Sequence, residues 1–511
     1  MSFGSRLIAA RPTYMAVLCL SVAGMTAAMA CSASSGPGSR TRNNNSGSGG
    51  ITVGSGGTTG SGGSGPVVDI DSGVVIDPGL GGPCDDGGWA CAIDKCEGQA
   101  SKTTVRATIY DPKGEVPLYN VAVYVPNQSL AEITTGAVCE TCATPVSGQP
   151  IASALTNSAG EFVMEDVPVG VDVPMVIQIG KWRRMIHLPE VVACQENAFN
   201  DPQTFRLPRN QSEGHIPKIA MSSGEADSLE CLLRRIGVDD AEFTNPDGTG
   251  RINIFADAGS ASSYAAGGVY PSNMTLFNTD TLMGYDIVMM SCQGSNDDGR
   301  KWTTEHKTAM KSFADSGGRV FLEHYHHSWL RGGNEIPEIE DDRKYPMTPF
   351  PAVATWGTAE ETDPNHGDTA SVPYEVDVSF PKGNDFADWL VNVGASTTKG
   401  TINMEDVKHP ALDVIPGVSL RWIYRTEPIA APYLTANTPI GAPVDQQCGS
   451  VVHTGIHVAN AADDSTTNPF PSGCTVASLT AQEKAMEFLF FDLSSCVQDW
   501  SAPPMKPPVV F

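Results

Sequence analysis

Apolar and polar positions alternate with a period of two over much of residues 103–207. Residues 105–109 and 121–125 both show this alternation, and the segment Asp111-Pro112-Lys113-Gly114 lies between them. Such alternation is typical of strands that bury one face, and proline at the second position is typical of a tight turn. Several short strands at regular spacing predict a β-sandwich in this region.

After residue 215 the apolar period changes to that of a helix. Four apolar residues between Leu229 and Ile236 recur at i, i+3, i+4 and i+7, directly after a short apolar run at residues 218–221. This spacing predicts an amphipathic helix that follows a strand, with Asp227 and Glu230 as its capping box.

The stretch from Tyr285 to Leu330 has a strand–helix–strand pattern. An apolar run at residues 285–290 precedes a helical segment at about residues 303–314, and a second apolar run follows at residues 319–322. This is the pattern of a βαβ unit in a parallel sheet. Open parallel sheets place their functional sites beyond the carboxyl ends of the strands. We therefore expect a site where these two runs end.

The candidate catalytic residues are five side chains at strand ends, namely Cys292, Glu323, His324, His326 and His457. A cysteine beside a histidine can act as a nucleophile, and Glu323 can act as a general base or orient a ligand. His324 and His326 would share one face of an extended strand, so a divalent metal held by His324, His326 and His457 is a further expectation; no other cofactor is expected. The alternative is a buried or paired thiol among packing histidines.

Patterns further along the chain complete the predicted fold. Residues 418–424 and 450–458 are predicted strands, and residues 480–497 are a predicted buried helix with a capping box of Thr480 and Glu483. This element order fits a multidomain protein with a β-sandwich and an α/β flavodoxin-like parallel sheet.

The chain is predicted to divide into six segments. The first three are a signal peptide at 1–30, a disordered Gly/Ser-rich tether at 31–83 and a cysteine-rich knot at 84–102. The other three are the sandwich at 103–207, the α/β domain at 215–498 with an irregular insertion at about 331–404, and a disordered tail at 499–511.

The N-terminal residues have the pattern of an export signal. Arg6 and Arg11 precede a short apolar segment at residues 14–25, and small residues lead to Cys31. Small residues before a cysteine resemble a bacterial lipobox, which implies lipidation of Cys31 and a membrane partner reached through that lipid. The expected location is the cell envelope, at the outer membrane or the cell surface. Ordinary cleavage after Ala30 without a lipid is the alternative.

The charge balance argues against one class of partner. The 511-residue chain has 58 acidic and 32 basic residues, and its net charge is -26. Nucleic-acid binding requires lysine and arginine to neutralise phosphates, so no nucleic-acid partner is expected.

The cysteine count predicts disulfides and one unpaired thiol. Of the 13 cysteines, Cys19 lies in the predicted signal and Cys31 at the lipidation site, which leaves 11. Cysteines of an exported protein are usually paired, and an odd number leaves at least one over. We expect Cys448 to pair with Cys474 and Cys292 to remain free.

Two groups of sequence phrases resemble known families. In the first region the phrases are Tyr110-Asp111-x-x-Gly114-x-x-Pro117-Leu118-x-x-Val121-x-Val123 and Thr156-x-x-x-Gly160-x-Phe162. They resemble the carboxypeptidase regulatory-like, or transthyretin-like, domain, which implies a prealbumin-like accessory module without catalysis.

The later phrases are Tyr285-Asp286-Ile287-Val288, Gly317-Gly318-Arg319-Val320-Phe321-Leu322-Glu323-His324, His409-Pro410, Trp422 and Gly449-x-Val451-x-His453-Thr454-Gly455-x-His457. They resemble the class I glutamine amidotransferase-like superfamily, nearest its ThuA-like, trehalose-utilisation branch. In the amidotransferases the nucleophilic cysteine lies in Gly-x-Cys-x-Gly on the turn after the strand that follows the central helix. Here that turn has His324 and Tyr325, so glutamine hydrolysis is not expected.

Two functions follow as expectations. The first is a non-catalytic binding or structural module of the cell envelope, with a carbohydrate or another envelope component as its partner. The second is a hydrolase or isomerase of the amidotransferase-like superfamily that uses a His/Glu site, with or without metal, or a Cys site at the carboxyl edge of the sheet.

Overall fold

The computed structural model describes residues 80–257, 259–294, 301–331, 346–357 and 367–509. The predicted signal peptide, Cys31 and most of the predicted tether lie outside these ranges. All described residues belong to one compact unit, residues 75–511. The predicted division of this unit near residues 207–215 stays a prediction.

Strands form between residues 103 and 207, as predicted. They are β1 (Thr104–Thr108), β2 (Ala122–Pro126), β3 (Pro150–Leu155), β4 (Glu161–Glu165), β5 (Gly170–Ile179), β6 (Trp182–Val191) and β7 (Glu196–Ala198). One sheet has the order β4-β1-β7 and the other has the order β3-β2-β5-β6. Val105 of the first sheet and Val123 of the second are fully buried in one core, because each strand turns alternate side chains inward.

A ten-stranded sheet forms the rest of the unit together with two short two-stranded sheets. Its order is β16-β15-β19-β20-β21-β12-β11-β8-β10-β9. These and the remaining strands are β8 (Ile219–Ser222), β9 (Phe243–Thr244), β10 (Ile252–Phe255), β11 (Ile287–Met290), β12 (Arg319–Glu323), β13 (Ala354–Trp356), β14 (Gly367–Asp368), β15 (Val372–Val376), β16 (Thr401–Met404), β17 (Val407–Lys408), β18 (Ala411–Val414), β19 (Leu420–Thr426), β20 (Ile429–Thr438) and β21 (Gly449–Thr454).

The strands that lead to the candidate site are parallel. β10, β8, β11, β12 and β21 are neighbours in that order and run in one direction, with the short β9 outside β10. Counted by first appearance along the chain, these five strands have the spatial order 2-1-3-4-5. β20 pairs with β21 in the antiparallel direction and begins the antiparallel part of the sheet. The carboxyl ends of the five parallel strands therefore lie along one edge.

Helices cover both faces of this sheet. The helices are α1 (Leu229–Arg235), α2 (Thr279–Leu282), α3 (Thr304–Asp315), α4 (Pro381–Asn392), α5 (Ala459–Ala462) and α6 (Ala481–Ser494). Met290 packs in the core with α2 and α3, whereas Met289 packs in the core with α1, α4, α6 and the two-sheet region. Strands that are covered on both faces have continuous apolar sequences, which explains the unbroken apolar run at residues 287–290.

Several helix predictions are confirmed. Thr303, where the helix was predicted to begin, is the N-cap of α3, and α6 has the predicted capping box of Thr480 and Glu483. Arg235, at the end of α1, forms buried ion pairs with Asp464 at 2.7 Å and with Glu483.

Among the described residues, none of the helices is both long and apolar enough to span a bilayer.

The predicted irregular insertion at residues 331–404 is wrong for much of its described part. β15 and β16 pair with each other and extend the large sheet, and α4 lies between them. Phe386 and Trp389 of α4 pack on Phe488 of α6, with ring centroids 4.6 and 5.1 Å apart. A short amphipathic helix at residues 385–393 is predicted by the sequence and corresponds to α4, whereas the pairing of β15 with β16 and β19 depends on long-range contacts.

The predicted Cys448–Cys474 disulfide is wrong. Five disulfides join Cys84–Cys91, Cys96–Cys194, Cys139–Cys448, Cys142–Cys496 and Cys231–Cys474. Closeness along the chain suggested the wrong partner, because the loop with Cys139 and Cys142 folds against the end of the large sheet. Cys292 is the free, buried cysteine among the described residues, as predicted.

Residues 499–509 correct the prediction of a disordered tail. They are described in the structure, and the Ser153 hydroxyl of β3 donates a hydrogen bond to the Pro507 carbonyl at 2.6 Å. Pro507 itself is buried. A proline-rich segment has no regular apolar period, so its sequence does not reveal that it packs on the sheet.

Candidate functional site

Three chemically reactive side chains meet at the carboxyl edge of the parallel strands. Cys292 lies two residues beyond β11, His324 lies directly after β12, and His457 lies three residues beyond β21. These strands are neighbours in the sheet, with β12 between β11 and β21. Parallel strands end at the same edge of a sheet, so the sequence predicts that these residues lie close together. The strands are parallel in the structure, as this prediction requires.

The three side chains form a compact buried cluster. The Cys292 sulfur lies 3.3 Å from Nδ1 of His324. The sulfur and one ring nitrogen from each of His324 and His457 all lie within 4.8 Å of one another. The two imidazole rings are 5.1 Å apart and inclined by 62°. Each of the three residues is no more than 3% exposed. We call Cys292, His324 and His457 the Cys–His–His cluster.

The backbone at His324 adopts an unusual conformation. Its φ is +34°, which side chains other than glycine rarely adopt. The residue begins a 3₁₀ segment, His324–Trp329, directly after the last residue of β12. The His324 carbonyl oxygen lies 3.1 Å from Nε2 of His453, which helps to hold the turn. Local strain of this kind concentrates at functional sites.

The same turn corrects one step of the sequence reasoning. Residues 324–327 were expected to be extended, with His324 and His326 on one face. They form a 3₁₀ segment, and His326 points elsewhere: its Nε2 lies 2.9 Å from the Ser291 carbonyl, and its Nδ1 accepts a hydrogen bond from Trp329 at 3.3 Å. Burial lowers the pKa of His326 to about 4. Of the predicted metal set, the structure brings His324 and His457 together beside Cys292, whereas His326 lies apart from them.

His457 is held by a carboxylate. Its Nδ1 lies 3.0 Å from Oδ2 of Asp406, in the turn between β16 and β17. Asp406 is fixed in turn by Lys408 at 2.6 Å and by the amide of Asn460 at 2.7 Å. Burial on its own lowers the pKa of His457, but the charge of Cys292 and the hydrogen bond with Asp406 together raise it to about 10.

Asp406 is a residue in contact with the cluster that the sequence analysis did not identify. It belongs to no recognisable motif and lies 51 residues before His457 in the chain. Its φ of +51° marks a tight turn, and aspartate is one of the few residues that adopt this conformation readily. Only the pairing of β17 with the rest of the fold brings this turn to the site.

Glu323 and Asp227 hold the backbone next to the cluster by hydrogen bonds. Oε2 of Glu323 accepts a hydrogen bond from the Cys292 backbone N–H at 2.7 Å. Burial and then the negative charge of Asp227 raise the pKa of Glu323 well above its ordinary value. A carboxyl group held in this way positions the loop that has Cys292.

Asp227 has a different role from the predicted one. The expected capping box with Glu230 is absent, because Ser228 is the N-cap of α1 and makes no side-chain cap hydrogen bond. The Asp227 carboxylate instead accepts hydrogen bonds from the backbone N–H groups of Val458 and Ala459, at 2.8 and 2.6 Å. It thereby fixes the segment directly after His457.

Aromatic and imidazole rings surround the cluster on one side. The Tyr325 ring stacks on His324 at 3.9 Å, and Trp356 meets the His453 ring edge-on at 5.2 Å. His327 lies 5.8 Å from Trp356. Burial lowers the pKa of His453 to about 4, so this ring is neutral near neutral pH. Burial is also the main reason that the pKa of His324 lies well below its ordinary value.

A cavity of about 250 Å³ lies in a different part of the unit, between the four-stranded sheet and the C-terminal segment. Its basic side chains already have partners. Lys181 contacts Asp286 at 2.7 Å, and Arg183 donates to the Ser147 hydroxyl at 3.0 Å. None of the residues of the Cys–His–His cluster lines this cavity.

Comparisons with known proteins give no functional lead. No protein-family model and no curated protein matches the chain. Two solved structures that align with parts of it are mutants of a type II cohesin–X-dockerin complex from Acetivibrio cellulolyticus. The C-terminal interface mutant is 16% identical, with a TM-score of 0.14 over 28% of this chain and 75% of that chain. The N-terminal interface mutant is 16% identical, with a TM-score of 0.15 over 27% and 85%. Scores this low support no argument.

Proposed function

We propose that the protein is a thiol hydrolase or acyl-transfer enzyme. Cys292 is its nucleophile, His457 is the acid–base partner, and Asp406 orients His457. The observation that carries this proposal is that His457 contacts both partners: its Nδ1 lies 3.0 Å from the Asp406 carboxylate, and one of its ring nitrogens lies within 4.8 Å of the Cys292 sulfur. Nucleophile, imidazole and carboxylate in this order form a catalytic triad, which is recognised by geometry and not by sequence order. Such contacts are often looser before substrate binds.

The arrangement suits a two-step acyl transfer. In the Cys292–His457 pair the thiol proton lies on His457, and in the first step the Cys292 thiolate attacks the carbonyl carbon of an ester, thioester or amide. His457 then gives that proton to the leaving alcohol, thiol or amine, which leaves an acyl group on Cys292. In the second step water attacks the thioester while His457 takes a proton from the water. The acid is released and the Cys292 thiolate leaves, paired again with protonated His457.

The strand order supports the finer fold assignment within this proposal. With the short outer strand β9 left aside, the five parallel strands have the order 2-1-3-4-5, which is the order of flavodoxin-like sheets, whose sites lie at the carboxyl edge. In the resembling superfamily the nucleophile lies on the turn after the strand equivalent to β12. Here that turn has His324, and the cysteine comes from the end of the neighbouring β11. We therefore do not propose glutamine as the substrate, and we propose the two-sheet region as a carboxypeptidase regulatory-like accessory module.

Export to the cell envelope is part of the proposal. Five disulfides among the described residues support an oxidising location, because cytosolic thiols are kept reduced. The proposed anchor is a lipid on Cys31. Replacing Cys31 by Ala should move the protein from the detergent phase to the aqueous phase of a Triton X-114 partition. An unchanged partition would contradict the lipid anchor.

The catalytic proposal is tested by trapping the acyl-enzyme. The full chain is mixed with p-nitrophenyl esters of increasing acyl length, and the intact protein and its peptides are examined by mass spectrometry. We expect release of p-nitrophenol and an acyl adduct on Cys292, both lost in C292S and strongly reduced in H457Q. H187Q is the control, because His187 is exposed on β6. Hydrolysis that persists in C292S would refute the proposal. If every ester is inert, the non-catalytic envelope-binding role, with a carbohydrate among its candidate ligands, becomes the better account.

A further inference from the structure

The donor atoms of the Cys–His–His cluster have a composition that suits a soft metal ion. One thiol sulfur and two imidazole nitrogens converge from three separate loops, within 4.8 Å of one another. The sulfur and Nδ1 of His324 are 3.3 Å apart. Sulfur and imidazole ligands favour zinc and related transition metals, whereas calcium and magnesium require oxygen ligands. Three protein ligands with an open fourth position are typical of zinc sites that do chemistry.

A buried nitrogen points to a ligand at this place. Nε2 of His457 is buried and has no hydrogen-bond partner among the described residues, although the residue is only 3% exposed. Leaving a buried polar atom unpaired costs about 1–3 kcal/mol, so such atoms usually have a function. The other nitrogen of the same ring is held by Asp406 at 3.0 Å. A carboxylate on the far nitrogen is the usual way to orient a metal-binding histidine.

The remaining donors are also held in place by their surroundings. The backbone N–H of Cys292 is bound by Glu323 at 2.7 Å, and the carbonyl of His324 is bound by His453 at 3.1 Å. His324 has an unusual backbone conformation, and its Nδ1 lies 3.3 Å from the sulfur. A pre-formed set of ligands loses little conformational entropy when an ion binds.

We propose that Cys292, His324 and His457 bind one Zn²⁺ ion, or a transition-metal ion of similar chemistry, and that this ion blocks the nucleophile reversibly. Binding displaces the proton that Cys292 and His457 share: the thiol–imidazole pair and Zn²⁺ give a zinc thiolate that is also bound by the neutral imidazole, and one proton is released. The ion also occupies Nε2 of His457, which the acyl-transfer reaction requires. Metal binding itself is independent of the proposed function, but the inhibitory consequence rests on it.

Metal binding is tested on the full chain, first without any variant. The protein is treated with a chelator and desalted, and Zn²⁺ is titrated against a chromophoric chelator. Co²⁺ is used in parallel, because a thiolate-to-cobalt absorption band reports sulfur coordination. We expect one ion per chain, and we expect bound Zn²⁺ to protect Cys292 from iodoacetamide. Absence of stoichiometric binding, or full alkylation of the zinc-loaded protein, would overturn the inference.

Variants then locate the site. C292S should abolish the cobalt–sulfur band, and H457Q should weaken Zn²⁺ binding at least tenfold. D406N should weaken it by about 10- to 100-fold, as is usual for a residue that orients a ligand. H187Q and H326Q should bind as the wild type does, and circular dichroism checks that each variant is folded. Binding that is unchanged in C292S and H457Q would place the ion elsewhere and refute the site.

The two proposals fail in distinguishable ways. If Zn²⁺ does not bind but the metal-free protein forms the acyl adduct on Cys292, the metal inference falls and the catalytic proposal stands. If Zn²⁺ binds with the expected variant pattern but the metal-free protein forms no adduct, the cluster is a metal site and the catalytic proposal falls.

Discussion

Asp111 is a buried acid whose ionisation should set the pH dependence of stability. Its side chain is fully buried, and Oδ1 accepts hydrogen bonds from the N–H groups of Glu115 and Val116 at 2.8 and 3.2 Å. Oδ2 has no hydrogen-bond partner among the described residues. Burial raises the pKa of Asp111 from 3.8 to about 7. Burial, and then the charge of Asp111, also raise the pKa of Glu487 on α6 well above its ordinary value.

The sign and size of the effect follow from linkage. A carboxyl with a raised pKa binds its proton more tightly in the folded state, so the free energy of unfolding falls as pH rises between the two pKa values. About two units of this range lie between pH 5 and pH 7. Each unit corresponds to about 1.4 kcal/mol, so the Asp111 contribution should fall by about 3 kcal/mol over this interval. Above pH 7 there is little further change from this group.

The substitution Asp111→Asn tests this reasoning. Asparagine keeps the acceptor oxygen for the two backbone N–H groups and removes the ionisable proton. We expect D111N to gain about 3 kcal/mol relative to the wild type on going from pH 5 to pH 8. The assay is guanidinium unfolding at both pH values, followed by tryptophan fluorescence with the disulfides intact.

The control for this experiment is Asp388→Asn. Asp388 forms an ion pair with Lys399 at 2.8 Å, and both side chains are well exposed. Exposed pairs contribute about 0–1 kcal/mol, so D388N should show the pH dependence of the wild type. If D111N also keeps that pH dependence, Asp111 is not a protonated buried acid and the reasoning is wrong.

Three further variants test the site and the long-range contacts. D406N should slow alkylation of Cys292 by iodoacetamide at least tenfold, because the charge-assisted hydrogen bond between Asp406 and His457 is worth about 1.5–3 kcal/mol. An unchanged rate would refute the role of Asp406 in orienting His457. Arg235→Ala should lower the free energy of unfolding in guanidinium by about 3–5 kcal/mol, because its two buried carboxylate partners lose their counter-ion, and a loss under 1 kcal/mol would contradict this. Replacing Cys142 and Cys496 together by Ser should cost about 2–5 kcal/mol, measured as a lower Tm, and an unchanged Tm would show that the loop is held by other contacts.

Local signals in the sequence predicted the elements with strong periods. The continuous apolar runs before Cys292 and Glu323 are parallel strands covered on both faces, and Thr480 with Glu483 caps α6. The general rule that sites lie at the carboxyl ends of parallel strands was enough to select Cys292, His324 and His457. These predictions depended on short stretches of chain and on one topological rule.

The remaining features depend on contacts that no local pattern encodes. Asp406 reaches His457 only because β16 and β17 bring its turn to the edge of the sheet. His326 was grouped with the site because an extended chain was assumed, whereas the turn at His324 directs it toward Ser291 and Trp329. The disulfide partners of Cys448 and Cys474 lie 309 and 243 residues away in the sequence, so proximity along the chain was a poor guide.

The most direct test of the central claim is the reactivity of Cys292 in the folded, metal-free protein. The chain is treated with iodoacetamide at pH 7, and labelled peptides are quantified against time by mass spectrometry, in the wild type and in H457Q. A neighbouring imidazolium stabilises a thiolate, so we expect Cys292 to be the labelled residue among the described cysteines and H457Q to label at least tenfold more slowly. Labelling of Cys292 only after unfolding, or equal rates in the two proteins, would contradict a Cys292–His457 catalytic pair.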